Sequence, residues 1–389
     1  MFPPHNLTES HFCIDKPKRL FYSFLNRFSK PVKKGWNMLT ISEIARLAGV
    51  SKTTVSNVIN GKFEQVGEET REKILKIIED NGYFPHQAAR ALKSKKTRTI
   101  GLLFPHMPLR LLSNSFFFPG FLTGVAEACQ DFDYQLLVTT SWKDCDTDFH
   151  YENLLKSRSI DGLIVSDVFY NDPRFPVLRE FKIPFVSIGK PEGGNPDGIH
   201  WIDHNQEEIA ERAVDYLISL GHRDIIFVGL SLNRVYTRQR LRGYKKALEK
   251  ASIPFREELI LCEEMWGEEA KRKISSFLRK IVNFTAIFSI GGDNLTFDCV
   301  EVLENLGFLI PQDVSLLCNI EIEDNRFLGI NPSGIKVNPQ ILGYETAKTL
   351  IYLIEDKEVE MGKYLEAKLV EGDSCGVVLS GGSFLESRR

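Results

Sequence analysis

Cysteine is scarce in this chain and its few copies do not cluster. Seven occur in 389 residues, at positions 13, 129, 145, 262, 299, 318 and 375, with no C-x-x-C pair and no histidine-rich partner segment. That argues against a zinc module or a disulfide scaffold and for a reducing compartment. No run reaches the roughly 18 uninterrupted apolar residues that a membrane-crossing helix needs. The first residues carry Glu9 and Asp15 and lack the apolar core of a secretory signal. Also missing are G-x-x-x-x-G-K-S/T, H-E-x-x-H and G-x-G-x-x-G, and the 8 histidines are dispersed. Apolar material, by contrast, is ample: 43% hydrophobic and 11% aromatic residues against 26% charged. The chain is too apolar to be disordered and long enough for two to three domains. The expectation is a soluble, cytoplasmic protein, not an enzyme, with no cofactor, no bound metal and no membrane partner.

The net charge of −3 hides an asymmetry. Residues 1–98 hold 18 Lys and Arg against 9 Asp and Glu, a net of +9, and the remainder carries −12. A basic first quarter on an acidic body suggests an anionic partner for the basic part. Residues 1–37 contribute +5 of that charge but show no helical or strand period, and prolines 3, 4, 17 and 31 interrupt them. This segment is expected to be a non-native or disordered extension, with Met38 the natural start. Lys34-Gly35-Trp36 would be encoded by an A/G-rich run resembling a ribosome-binding site just upstream of that Met.

From Leu39 the pattern sharpens. Thr40-Ile41-Ser42-Glu43 is a capping box. Ile41, Ile44, Ala45 and Ala48 then repeat at three and four, and Gly49 ends the helix. Ser51 caps a second short helix from Lys52 to about Ile59, with Val55 and Val58 or Ile59 inward and Asn60-Gly61 stopping it. Two short helices joined by Ala-Gly-Val-Ser have the turn chemistry of a helix-turn-helix, whose second helix enters the DNA major groove. Lys52, Thr53 and Asn57 then face base edges: Lys can donate to guanine, Asn can pair with adenine, Thr offers a hydroxyl and a methyl. A third helix, Glu68 to about Asn81, is expected to pack through Ile74, Leu75, Ile77 and Ile78. Pro85 to Leu92 reads as a further two-turn helix, marginal alone in water, and a basic linker runs on to Arg98.

The stretch from Thr40 to Ser51, with Thr54-Val55-Ser56, Asn60-Gly61, Glu69-Thr70-Arg71, Gly82-Tyr83-x-Pro85, Ala89-Arg90-Ala91-Leu92 and Thr97 to Leu102, closely resembles the LacI/GalR family of bacterial transcription repressors. The resemblance covers essentially everything after Met38. It implies a helix-turn-helix domain over 38–85 and a hinge and linker over 86–98. Residues 99–389 would then be an effector-binding and dimerisation domain. The implied DNA-contacting set is Thr40, Lys52, Thr53 and Asn57, with His86, Ala89 and Leu92 in the hinge, Leu92 being the apolar wedge that unstacks a base step in the minor groove. Asn57 stands where the family usually has Arg, and Gly67 replaces the usual Ser cap of the third helix; the first departure implies an altered operator sequence.

Beyond Thr99, short apolar runs alternate with helical patterns. Strands are expected at Ile100–Phe104, Gln135–Val138, Gly162–Val165, Phe185–Ile188, Ile225–Val228, Ala286–Ser289 and Val314–Cys318. Helices include Phe121–Gln130, Glu207–Leu220, Gly243–Lys250, Lys271–Ile281 and Asp298–Leu306. Such alternation argues for parallel sheets covered on both faces, and about 290 residues exceed one comfortable core. The fold class is therefore an all-α helix-turn-helix domain followed by an α/β domain.

The resemblance implies that this second domain is two-lobed, like a periplasmic sugar-binding protein. The N-lobe would take about 99–203 and 335–366, and the C-lobe about 204–334 and 367–389, with crossovers near His204, Gly334 and Glu366. The ligand, a small-molecule effector and most readily a sugar, would bind between them at strand ends. By position Arg240, placed at a strand end, matches the family's effector-contacting arginine. Trp266 matches its aromatic, and Phe117, Arg234, Tyr236 and Asp293 complete the implied set. Ile320 stands where the family places a ligand-reading Asp, and Gly292 where a polar contact often sits, so sugar specificity does not transfer. His222 is expected on the surface, in a turn. The resemblance further implies a homodimer on a pseudo-palindromic operator; Gly376–Arg389 lacks a leucine heptad for a tetramer. An α/β enzyme with an appended DNA-binding domain is the competing reading, and a transport receptor a third.

Overall fold

The computed structural model describes residues 39–59, 62–81, 83, 96–104, 117–140, 149–320 and 331–378. The extension 1–37 and the expected hinge positions His86, Ala89 and Leu92 lie outside the described residues. The chain divides into two compact units between His86 and Gln87.

In the first unit, α1 (Ile41–Ala48) begins with the reciprocal cap read from the sequence. The Glu43 amide donates to Thr40 Oγ1 at 3.3 Å, and the Thr40 amide donates to Glu43 Oε2 at 2.6 Å. Gly49 ends it at φ 73°, a left-handed position that glycine takes without strain. At α2 (Lys52–Ile59) the Thr54 amide donates to Ser51 Oγ at 3.0 Å. A short 3-10 turn, Phe63–Gln65, leads to α3 (Glu68–Asp80). Gly67 supplies no side-chain cap there; Glu68 and Glu69 instead place negative charge in the first turn, where the helix dipole favours it. Ile44, Ala45, Ala48, Val55, Val58, Ile74 and Tyr83 form the core. Leu75, expected inside, is 43% exposed. Successive helical residues point about 100° apart, so seating Ile74 inward turns Leu75 out.

The second unit starts with β1 (Thr99–Phe104), α4 (Phe117–Asp131), β2 (Gln135–Thr140), α5 (Phe149–Lys156), β3 (Gly162–Val165), α6 (Arg174–Glu180), β4 (Phe185–Ile188) and β5 (His200–His204). The chain then crosses to a second lobe: α7 (Gln206–Ser219), β6 (Ile225–Gly229), α8 (Val235–Lys250), β7 (Ile260–Cys262), α9 (Glu268–Leu278), β8 (Ala286–Ser289), α10 (Gly292–Asn305), β9 (Ser315–Ile320) and β10 (Ser333–Lys336). It returns for α11 (Pro339–Ile354) and β11 (Gly362–Leu365), and crosses once more to β12 (Lys368–Val370). Among the described residues the two sheets run β11-β5-β4-β3-β1-β2 and β12-β10-β9-β8-β6-β7. The first is parallel throughout; the second is parallel except for β12, which pairs antiparallel with β10.

Parallel strands are covered on both faces, which explains their continuous apolar runs. In β1, Ile100, Leu102 and Phe104 pack toward α4 and α11, while Leu103 joins Leu163 and Val165 on the other side. The helices α4 and α11 approach so closely that a Cβ at Gly124 would lie 1.9 Å from the Gln340 carbonyl oxygen, and one at Gly343 would lie 2.1 Å from that of Phe121. Only glycine fits these two positions.

His222 is not on the surface. It is buried, with Nε2 3.0 Å from the Gly376 carbonyl and Nδ1 2.9 Å from Thr285 Oγ1. A carbonyl only accepts, so Nε2 carries the proton and Nδ1 accepts from the hydroxyl. Burial holds its pKa below the usual imidazole value. The turn expected there exists, but it tucks its imidazole under the C-terminal segment.

Candidate functional site: a cleft between two lobes

The carboxyl ends of both sheets face one cleft, whose unfilled space, open solvent included, is about 1150 Å³. Phe117, Arg234, Tyr236, Arg240, Trp266 and Asp293, scattered over 177 positions of sequence (117 to 293), all line it. Open α/β sheets place ligands at this end because the loops there are free of strand pairing.

Phe117 opens α4 and stacks on Phe121 with ring centroids 6.0 Å apart, edge-on to Phe118 at 5.4 Å. It forms an apolar wall on the N-lobe side. Trp266, in the connection from β7 to α9, is half-buried on the opposite side. Asp293 lies in the first turn of α10 and is buried.

Arg240 departs from the sequence expectation in one respect. It sits mid-helix in α8, not at a strand end, and is 6% exposed. Its Nε donates to Gln206 Oε1 at 2.8 Å and Nη1 to the Ile290 carbonyl at 2.8 Å. With its amide turned oxygen-inward, Asn319 accepts from Nη1 at 2.6 Å and Nη2 at 3.0 Å. Gln206 in turn donates to Asp203 Oδ1 at 2.7 Å, and the Lys190 amide donates to Asp203 Oδ2 at 2.9 Å. A chain of hydrogen bonds thus runs from the C-lobe helix into the N-lobe strand at the first crossover. Burial raises the Asp203 pKa and the hydrogen bonds oppose that rise. Burial, then the Arg240 charge, pushes the neighbouring His204 imidazole down to about 4, so it is neutral near pH 7. Burial likewise pushes the Tyr236 hydroxyl up to about 12, and its ring lies 5.5 Å from the Arg240 guanidinium.

Arg234 precedes α8 and is committed across the cleft. It pairs through Nη1 with Asp167 of the N-lobe, and through Nη2 with Glu264 Oε1 at 2.7 Å. Its guanidinium lies 5.4 Å from the Phe169 ring and 5.8 Å from that of Trp266. Backbone joins the same two loops: the Tyr170 amide donates to Asn233 O at 2.8 Å, and the Val235 amide to Val168 O at 3.0 Å. Asp167 takes φ 56°, a left-handed conformation that Asp tolerates better than most residues. Arg174 holds that loop, donating to the Ser166 carbonyl at 3.1 Å, the Asp167 carbonyl at 2.9 Å and Asp172 Oδ1 at 2.8 Å.

Asp167, Asp203, Gln206, Glu264 and Asn319 were not singled out in the sequence. The one signal that could have found Asp167 and Asp203 is a lone Asp closing a short strand pattern, and that is common. Ile320, suspected as a replaced ligand contact, is buried as the last residue of β9, and Asn319 beside it meets the cleft instead.

In the first unit, Lys52 and Thr53 are exposed at the start of α2, and Thr40 is exposed before α1. Asn57, one turn on, is half-buried and donates through Nδ2 to Gln65 Oε1 at 2.9 Å, so that amide is held within the unit. No group of His, Cys, Asp and Glu suited to a metal occurs among the described residues, and none of their helices is long and apolar enough to cross a membrane.

A small helical unit whose second helix opens on exposed Lys52 and Thr53, coupled in one chain to a two-lobed α/β body with an interlobe cleft, defines a ligand-responsive DNA-binding regulator. The family model for bacterial regulatory proteins of the lacI family matches residues 40–86, and that for a periplasmic binding protein-like domain matches residues 214–375. The HTH-type transcriptional repressor PurR of Yersinia pestis (strain Pestoides F) is 32% identical over 357 residues, covering 90% of this chain and all of that protein. A solved complex of the transcriptional regulator CelR with cellobiose is 25% identical, with a TM-score of 0.65 over 86% of this chain and 99% of its own. The lac repressor dimer bound to operator and the anti-inducer ONPF shares the fold, with a TM-score of 0.74 at 21% identity over 87% of this chain and 100% of its own. The chain belongs to the lacI family: it is a DNA-binding transcriptional repressor with a periplasmic-binding-protein-like effector domain, and not an enzyme.

Proposed function

We propose that this protein acts in the cytoplasm as a homodimer on a pseudo-palindromic operator, and that a sugar bound between its lobes sets its operator affinity. The observation that carries this reading is the pairing, in one cleft, of apolar rings with convergent polar groups. Phe117 and Trp266 offer flat surfaces of the kind that pack on the C–H face of a sugar ring, while Asp293, Asn319 and Arg240 supply hydrogen-bonding groups. The relative crystallised with cellobiose supports the choice of ligand class. On the DNA side Lys52 and Thr53 read base edges, joined by Asn57 when its amide exchanges Gln65 for a base, and Thr40 contacts the DNA. His86, Ala89 and Leu92 complete the contact in the hinge.

The test is footprinting of the full chain on the region upstream of its own gene, with and without a panel of neutral mono- and disaccharides. A protected pseudo-palindrome whose protection changes with one sugar supports the reading. Protection unmoved by every sugar removes the sugar but leaves the repressor. Lys52→Ala is expected to cost about 1–3 kcal/mol on the operator and much less on random DNA, by competition binding. Equal loss on both sequences would count against base reading by Lys52. Arg240→Ala is expected to retain DNA binding and lose the effector response, because Asn319 and Gln206 lose the group that positions them.

A further inference from the structure

Among the described residues, the two guanidinium groups that line the cleft are already occupied by the protein itself. Arg234 spends Nη1 on Asp167 and both Nη2 and Nε on Glu264, and aromatic rings lie near it. Arg240 spends Nε on Gln206 and its two terminal nitrogens on Ile290 O and Asn319. Recognition of a phosphate or carboxylate works best with a guanidinium fork aimed at it, and neither fork is so aimed. Among the described lining residues the acidic groups are Asp167, Asp203 and Asp293, against Arg234 and Arg240 as the only cations. His204 adds no positive charge near neutral pH. Glu264, beside the cleft, adds a further carboxylate against Arg234.

We propose that Asp167 is the charge filter of this cleft: by neutralising Arg234 across the lobes it restricts the site to uncharged, polyhydroxylated ligands and rejects phosphorylated or carboxylated ones. The inference rests on the reading of the cleft as a ligand site and adds the ligand's charge to it. The local architecture is built for this task. Asp167 is set in a left-handed backbone position, its carbonyl and that of Ser166 are held by Arg174, and Arg174 is anchored by Asp172. With Arg234 neutralised by this pair, an incoming anion meets no unpaired guanidinium and faces the further carboxylates of Asp293 and Glu264.

The probes are inorganic phosphate and glucose 6-phosphate, titrated by calorimetry into the full chain, and followed by tryptophan fluorescence. Wild-type protein is expected to show no saturable binding of either. Asp167→Asn is expected to gain saturable phosphate binding. Asp167→Asn with Glu264→Gln is expected to bind roughly tenfold or more tightly than the single variant, because the Arg234 fork is then released. Adding Arg234→Gln to either should abolish the gain. Saturable phosphate or glucose 6-phosphate binding to the wild type that Arg234→Gln or Arg240→Gln removes would overturn the proposal. So would a folded Asp167→Asn that binds phosphate no better than wild type. If the double variant does not fold, the single one decides. A neutral-sugar titration of the wild type runs in parallel; its failure would remove the sugar and leave the phosphate result standing.

Discussion

His204 is a buried base beside a buried cation. It lies next to Asp203, whose carboxylate is tied up by Gln206 and two backbone amides, and it feels the Arg240 charge. Its folded pKa of about 4 lies below the ordinary imidazole value of 6.5. The unfolded chain therefore binds more protons between those values, and stability must fall as pH drops through that window. The contribution is complete above pH 6.5 and lost by about pH 4, on the order of 3 kcal/mol. His200 and His222, also depressed by burial, act in the same direction. His204→Gln is expected to flatten part of the acid limb in urea unfolding measured from pH 7 to pH 4; an unchanged limb would show that His204 does not carry it. Sequence alone marked Arg240 but not these neighbours. A histidine after a short strand gives no sign of burial, and Asn319 and Gln206 were illegible because an amide has no spacing signature.

At the scale of elements, caps and periodic faces were readable, and helices with two different neighbours were not. Thr40, Ser51 and Gly49 announced α1 and α2 because capping is local chemistry. The expected start of α8 at Gly243 falls eight residues late, since the helix begins at Val235. Arg234 just before it and Arg238 and Arg242 in its first half follow at four-residue intervals, toward Asp167, Tyr170 and Glu192 of the other lobe. That face is polar because its partner is polar, so no apolar stripe betrayed it. The strands β5, β7, β10, β11 and β12 were missed because they are only three to five residues long, β7 at a sheet edge and the others at crossovers. The glycines between α4 and α11 give the prediction that belongs here. Gly343→Ala is expected to destabilise by about 1–3 kcal/mol in urea unfolding, since its Cβ meets a backbone carbonyl that cannot swing aside. A loss under half a kilocalorie would mean the two helices can slide apart freely.

For the effector domain as a whole, α8 works as a strap across the cleft. Arg238 lies 4.3 Å from the Tyr170 ring, Gln239 donates to Glu192 Oε1 at 3.0 Å, and Arg242 to Glu192 Oε2 at 3.1 Å. The magnitudes differ along it. The Arg242–Glu192 pair is partly exposed, the arginine side chain at 46%, and an exposed pair contributes at most about 1 kcal/mol and weakens with salt. Arg234 and Asp167 are both buried, so removing one partner leaves an uncompensated charge and costs far more. Glu192→Gln is therefore expected to speed hydrogen exchange at the Tyr170 and Val235 amides by less than about tenfold, while Asp167→Asn speeds it substantially more. These two amides bond across the cleft and report opening directly. Equal effects of the two substitutions would mean that the strap is not graded in this way.

The return of the chain to the first lobe also orders events during synthesis. Leu342, Ala347, Leu350, Ile351 and Ile354 of α11 fill the core that Phe121, Val125 and Ala128 of α4 began. Until residues 339–354 leave the ribosome, that first lobe has a sheet with one side covered by α4 alone, and β11 has yet to close its edge. A nascent chain stalled before Pro339 thus offers chaperones an unfinished half-molecule beside a helix-turn-helix unit whose own small core is already complete.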